Sequence, residues 1–393
     1  MGKTVIVSGA RTPIGKLGGA LSGFTASQLG GKVMKESLKR AGLHGSDVDH
    51  VIIGTVLQGG QGQLPSRQAM HEAGIPWETE TETINKVCAS GMRSITLGDI
   101  LIRSGEHDVI AAGGMESMSQ APFFVQGARF GLKMGDRAFH DMMVYDGLTC
   151  TFTGVHMGSY GNAVAEAYGI TREKQDQWSL RSHERATAAM RDNKFAAEIV
   201  PVEVMQRKGA PAVVTADESP RADTTLEKLA TLKPVFGAGG TITAGNAPGV
   251  NDGAAAMILM AEEKAVSLGL EPLATIISHT QLAVEPENFP KTPGLAIQKL
   301  LHKTGKTVAD IDLFEINEAF ASVALTGNQV AGLDPDKVNV NGGAVALGHP
   351  IGASGTRIVL TLAYELKRRG GGLGIAAICS GGGQGDAIML EVR

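Results

Sequence analysis

The chain has 393 residues, enough for two or three units that each bury a core. Its formal net charge is -4 with no basic block, which argues against nucleic acid as a partner. The three cysteines cannot all pair and fit neither a disulfide framework nor a zinc ribbon, so a reducing, cytoplasmic setting is expected.

The chain enters a strand-like run, Thr4-Val5-Ile6-Val7, almost at once, and no signal peptide is expected. No apolar run is long enough to cross a bilayer, so no membrane partner is expected. The 53 glycines are about twice the usual share of roughly 7%. They are clustered and flanked by apolar runs, which fits close backbone packing and tight turns.

Leu29, Val33, Met34, Leu38 and Ala41 recur near helical spacing and predict a first helix ending at Gly42. Asp47-Val48-Asp49 then leads into a strand through Ile53. Cys88 stands in Asn85-Lys86-Val87-Cys88-Ala89-Ser90-Gly91, directly before a helical run from Met92 to Arg103. At such a helix start the dipole and free backbone N–H groups favour the thiolate. Ala89, Ser90 and Gly91 are small enough to leave room for a substrate. A buried structural cysteine is the alternative. A strand-like segment, Asp108 to Gly113, follows.

Residues 121–245 break this rhythm with more charge and a long polar helix from Thr171 to Arg191. Trp178, Ser182, Ala186 and Ala189 form its narrow inner stripe. The segment reads as an insertion in a first half made of residues 1–120 and 246–270, laid where a substrate could be gripped. The turn cluster Gly245 to Gly253 precedes the apolar run Ala254 to Met260.

A second half, 271–393, repeats the first. Gly305 to Ile316 resembles Gly42 to Ile53, and Leu373 to Ile378 resembles Asp108 to Gly113 at nearly the same offset. Strands alternating with helices in each half predict mostly parallel sheets in an α/β fold. A helix is predicted with Thr292 as N-cap and Pro293 first inside it. Asn317, after the strand ending at Ile316, could be a site residue or simply another N-cap. His349 lies between Gly348 and Pro350, in a loop whose turn residues fix its backbone; a solvated bystander is the bland alternative. Cys379 ends an apolar strand and opens the run Gly381 to Gly385, whose bare N–H groups could face a developing oxyanion. Two thiols and an imidazole at tight turns suggest acyl transfer through a cysteine thioester.

Other motifs fail. Leu300 stands where a phosphate-binding loop ending in Gly305-Lys306-Thr307 needs glycine, and Asp386 replaces the last glycine of a dinucleotide fingerprint begun at Gly381. No histidine pair has metal-ligand spacing on a helix, so no metal site is expected.

Five blocks together resemble the thiolase family over essentially the whole chain: Asn85 to Gly91, Gly113 to Ser119, Asn317 to Phe320, Asn341 to Gly355, and Cys379 to Gly385. The chain looks most like the family's short-chain acetyl-CoA acetyltransferases. The resemblance implies a duplicated five-layer α-β-α-β-α fold with an inserted loop domain. It implies two acetyl-CoA in equilibrium with acetoacetyl-CoA and free CoA, with ping-pong kinetics. Cys88 matches the nucleophile, His349 its base, and Cys379 the acid/base for the α-proton. Asn317 matches the holder of a water that forms one oxyanion hole with His349; the N–H groups of Cys88 and Gly381 match the second. Coenzyme A contacts are implied at Leu148, His156, Met157, Arg221, Phe236, Ala244, Ala319 and Phe320. The His156-Met157 pair resembles the short-chain pattern that crowds the acyl pocket.

Two positions depart. Pro248 stands where many relatives carry a serine that meets the pantetheine arm, and Lys228 falls where some relatives have a small polar residue near the adenine. Acyl-CoA thioesters are thus the expected partners and substrates, with no resident cofactor, and the protein is expected to be a homo-oligomer, a dimer or tetramer. The rivals are a broader-chain 3-ketoacyl-CoA thiolase of fatty acid β-oxidation, a ketosynthase-like enzyme, and a non-catalytic acyl-CoA-binding protein. A ketosynthase lacks a second cysteine at the Cys379 place, and binding alone needs none of Cys88, Asn317, His349 and Cys379.

Overall fold

The computed structural model describes residues 2–206, 208–237 and 239–393. Its first half runs β1 (Thr4–Arg11), α1 (Ala26–Ala41), β2 (His50–Gly54), α2 (Pro65–Glu72), β3 (Glu80–Ile84), α3 (Ser90–Ser104) and β4 (Val109–Ser117). Helices α4 (Met157–Ala167) and α5 (Arg172–Arg191) belong to the long segment that follows, before β5 (Asn251–Ala261). The second half runs β6 (Ala274–Ala283), α6 (Thr292–Thr304), β7 (Leu313–Ile316), α7 (Ala321–Ala331), α8 (Ile351–Arg368), β8 (Gly372–Ser380) and β9 (Gln384–Val392). Among the described residues no helix is long and apolar enough to cross a membrane.

The repeat seen in the sequence is a repeat in space. The strands hydrogen-bond in the order β7-β8-β9-β6-β1-β5-β4-β2-β3, so each half reads outward from β1 or β6 in the same sequence of equivalents. Thr4↔Ile276, Val5↔Thr275 and Ile6↔Ala274 join the halves. Even the outermost position has its counterpart, because Phe314 bridges Val338 in parallel where β2 pairs with β3.

Apolar residues on both faces of every central strand explain the layering. Leu29, Val33, Met34 and Leu38 of α1 pack on Val51, Ile53, Ala111 and Ile258. Across the sheet, Ile52, Ile110 and Leu259 meet α3 and α8, whose other side meets Ile276, Ala376 and Ile378. Ile297 and Leu300 of α6 and Ala324 of α7 then cover Phe314, Ile375 and Ala377. The alternation Ile375, Ala376, Ala377, Ile378 between two cores is the two-residue period of a strand buried on both faces. This is the expected α-β-α-β-α stack.

The mostly parallel pairing is not what forms. β2/β3, β2/β4 and β7/β8 are parallel, whereas β1/β5, β4/β5, β6/β9, β8/β9 and the β1/β6 junction are antiparallel. The reason is connectivity. β9 returns by a tight hairpin, Ser380↔Gln384, and β5 returns from the long segment after β4, so neither needs a helical crossover. The start of α6 also shifts by one: Thr292 is inside the helix, and its hydroxyl donates to the carbonyls of Phe289 (2.7 Å) and Gln384 (2.9 Å).

The segment between β4 and β5 is pinned to the core by charge. Arg11, at the end of β1, is 1% exposed; its Nε donates to Glu198 (2.7 Å), and Nη1 and Nη2 donate to the two oxygens of Asp217 (2.7 and 3.0 Å). The two carboxylates raise the guanidinium's pKa against the opposing cost of burial, the larger single influence. Arg11→Met strands both carboxylates without a cation, so a loss of about 3–5 kcal/mol is expected. Urea denaturation checks this; a loss below about 1 kcal/mol, the scale of a surface pair, would contradict it.

Candidate active site

Cys88 lies at the turn from β3 into α3. Asn85 Oδ1 accepts from Val87 N–H (2.9 Å), Ser90 Oγ accepts from Lys86 N–H (2.8 Å), and the same hydroxyl donates to Val87 O (2.6 Å). These bonds hold Val87 at φ +47°, a region a β-branched residue enters only when its surroundings force it. The strain turns the next residue, Cys88, toward a cavity.

His349 is placed by α8 and β5. Gly348, at φ +111°, has no room for a Cβ beside the amide of Asn251, whose Oδ1 accepts from His349 N–H (2.9 Å). α8 reaches α3 closely because a Cβ on Gly91 would fall 2.8 Å from Gly352 O, and one on Gly355 would fall 2.4 Å from Met92 N. The glycines of these two helices therefore let the cysteine and histidine segments share one cavity.

The imidazole's hydrogen bonds define its proton. Ser354 Oγ donates to Pro350 O (2.9 Å), which leaves it to accept from His349 Nδ1–H (2.6 Å). Nε2 then carries a lone pair, and Asn317 Nδ2 donates to it at 3.4 Å. Asn317 is no N-cap: α7 begins four residues later, at Ala321, after Phe320. Its Oδ1 is buried without a partner, as suits a group that awaits a bound water or substrate. Glu318 anchors the loop, accepting from Trp178 Nε1 (2.8 Å), Ser182 Oγ (2.8 Å), Asn339 Nδ2 (2.9 Å) and Val345 N–H (3.0 Å). So the α5 stripe includes polar groups because it holds this carboxylate.

Cys379 is 1% exposed at the end of β8. It joins Cys88, His349 and Gly381 around a cavity of about 190 Å³. Leu148, His156, Met157, Phe236, Pro248, Ala319 and Phe320 line the same cavity. His156 stacks on Phe236 at 4.3 Å, and Phe236 meets Phe320 edge-on at 5.9 Å. Arg221 and Ala244 fall elsewhere, in a neighbouring cleft that shares Ala247, Gly249 and Val250 with the first. Lys228 is held away on the surface by Asp223 (2.7 Å).

Electrostatically the resting site is neutral. Burial pushes the Cys88 thiol up to about 12, against the pull of the Gly381 and Cys88 backbone N–H groups. The expected helix-start depression is therefore outweighed. Burial, then the neighbouring Cys88, raises Cys379 as well. His349 is pushed down to about 3 by burial and by the charge of Arg357. The resting imidazole is thus unprotonated and the thiols protonated; it becomes an effective base only as negative charge grows on a sulfur beside it and favours the imidazolium.

The sign of the pH effect follows. The unfolded chain's histidine takes a proton below its ordinary 6.5 while the folded one does not, so this group costs stability as pH falls from 6.5 toward 3. The activity of the folded enzyme should show no acid-side break near 6.5. A kcat/KM profile with such a break that persists after Glu116→Gln, which removes the buried carboxyl at about 7, would contradict a neutral His349.

Glu116, Ser354 and Val87 were missed in the sequence. Glu116 is fully buried and accepts from Val56, Leu57 and Gly352 N–H groups (3.1, 3.1 and 2.9 Å), tying β4 to the start of α8; burial raises it to about 7. Ser354 stood five residues after His349, a spacing that would have served as a signal. Metal-capable side chains also meet outside the cavity. His50, Glu80 and His107 lie within 4.8 Å of one another, but the two rings stack at an angle of 9°, so their in-plane lone pairs do not converge.

A duplicated α/β fold that brings two thiols and a neutral imidazole to one apolar cavity defines a thiol-dependent acyltransferase. Residues 4–263 match the family description "Thiolase, N-terminal domain", and residues 270–392 match "Thiolase, C-terminal domain". The chain belongs to the thiolase family. It is 50% identical to a probable acetyl-CoA acetyltransferase of Mycolicibacterium smegmatis, over 98% of this chain and 100% of that one. It is 47% identical to a probable acetyl-CoA acyltransferase of Staphylococcus aureus, over 100% and 99%. The crystal structure of the Bacillus anthracis acetyl-CoA acetyltransferase superposes with a TM-score of 0.98 at 42% identity, covering 100% of this chain and 99% of that one.

Proposed function

We propose that this chain condenses two acetyl-CoA reversibly to acetoacetyl-CoA and CoA through an acetyl-Cys88 intermediate. The observation that carries the proposal is the joint lining of one cavity by Cys88, His349 and Cys379. His349 Nε2 takes the Cys88 proton as the sulfur attacks the thioester carbonyl; the proton returns to the departing CoA sulfur. Cys379 then gives its own proton to His349 Nε2, and the resulting thiolate takes the α-proton of a second acetyl-CoA, whose carbanion attacks the acetyl carbonyl. The C–S bond to Cys88 breaks, and Cys88 regains the proton held on His349. Asn317 with His349, and the N–H groups of Cys88 and Gly381, face the oxygens where negative charge develops. Because the first CoA leaves before the second acetyl-CoA reacts, the kinetics are ping-pong.

The aromatic wall supports a short acyl group. A Cβ on Gly158 would fall 2.2 Å from Phe236, so the His156–Phe236 stack has no slack toward α4. Pro248 offers the pantetheine arm neither a hydroxyl nor an N–H, leaving apolar contact there. Comparing cleavage of C4 and C8 3-ketoacyl-CoA tests the choice. A kcat/KM at least about tenfold higher for C4 is expected, the scale of a few misfitted methylenes. Equal values would favour the broad-chain enzyme.

A further inference from the structure

The two sulfurs come from opposite halves of the duplication, and the structure contains a link that joins the segments carrying them. Lys86, two residues before Cys88, points its Nζ at Asp386 Oδ1 (2.6 Å) and Gln281 Oε1 (2.7 Å). Asp386 pairs across β8/β9 with Ile378, the residue before Cys379, and Gln281 pairs with Asp386 across β6/β9. The backbone completes the connection, since Ser380 Oγ, one residue after Cys379, donates to Lys86 O at 2.5 Å. Thus one residue beside the first thiol is bonded to both strands of the hairpin that presents the second.

We propose that Lys86 is a positioning residue that, through Asp386 and Gln281, sets the separation and angle of Cys88 and Cys379. Lys86, Asp386 and Gln281 do not line the substrate cavity, so none of them touches the reacting atoms. The side chains are 11% and 0% exposed, and Asp386 Oδ2 has no partner, so the pair is costly to bury. For stability alone, two apolar side chains would serve as well. What an apolar pair lacks is direction. The strained Val87 between Lys86 and Cys88 needs a fixed anchor on one side, and a lysine bonded at two oxygens of the other half supplies it.

The inference rests on the condensation mechanism above, and it predicts which step suffers. Acetylation of Cys88 needs Cys88, His349 and, from the hairpin, only the Gly381 N–H. Carbon–carbon bond formation and cleavage also need Cys379 at the correct distance from the acyl group. Removing one partner alone leaves a buried charge and endangers folding, so the test is the double variant Lys86→Met with Asp386→Leu. Acetyl transfer from acetyl-CoA to Cys88, read by intact mass, should fall no more than about tenfold as the Gly381 N–H loosens, while acetoacetyl-CoA cleavage falls about 100-fold, the scale of a misplacement near 1 Å. Unchanged cleavage would overturn the proposal. An equal fall in both steps would also overturn it, because it would show general damage and not a lost alignment.

If the intact protein cleaved no acetoacetyl-CoA, the functional reading would fall, and thiol labelling would then judge the positioning role. Iodoacetamide should modify Cys379, 1% exposed in the intact protein, at least about tenfold faster in the double variant, as the turn and the hairpin part. Identical labelling would overturn the proposal.

Discussion

Cys88→Ala lowers the rate of CoA-dependent acetoacetyl-CoA cleavage by about 10⁴-fold or more, the loss expected when a covalent nucleophile is removed from a site that acts as a unit. Nothing else on the cavity wall replaces it. Cys379 is deeply buried at the end of β8 and lines the cavity from the other half, and Cys150 does not line the cavity. The fold should survive, because Cys88 is half-buried on the cavity wall and alanine removes only the sulfur there. An alanine variant with unchanged thermal stability and more than about a tenth of the wild-type rate would exclude the thioester route.

Cys379→Ala separates the two half-reactions. Acetylation of Cys88 needs His349 as its base, so incubation with acetyl-CoA should still load the acetyl group. Condensation and cleavage should fall about 10³-fold, within the range for loss of a general acid–base group. The raised pKa of Cys379 gives a physical reason for its proposed role. A thiol whose burial disfavours the thiolate makes a strong base once its proton is lost, and the weakly acidic α-carbon needs a strong base. The readouts are protein mass after acetyl-CoA and steady-state cleavage rate. If both fell together, Cys379 would be supporting the pocket and not moving the proton.

The convergence of Cys88, His349 and Cys379 on one cavity was legible because each sits at a junction with a strong local signature. Cys88 precedes a helix, His349 stands between glycine and proline, and Cys379 ends an apolar run before glycines. The duplication was legible for a similar reason: Gly42 and Gly305 both close a helix in the left-handed region, at φ +66° and +65°. Strand direction was not. Ala254 to Met260 and Ala387 to Leu390 are buried on both faces, and such runs look the same whichever way they pair. The Cys88 pKa was misjudged because sequence shows the helix that follows but not the desolvation that outweighs it. Ser354 and Lys86 escaped for a different reason: their parts depend on partners, Pro350 O and Asp386, whose proximity only the folded chain reveals.

The central claim is that acyl transfer passes through a thioester on Cys88. The most direct test mixes the intact protein with acetoacetyl-CoA in the absence of free CoA, quenches in acid, and locates added mass by peptide mass spectrometry. The account predicts a single acetyl group on the peptide carrying Cys88, discharged when CoA is added. Acetyl on the Cys379 peptide instead, or rapid turnover on adding CoA with no acetylated peptide at any time, would contradict it.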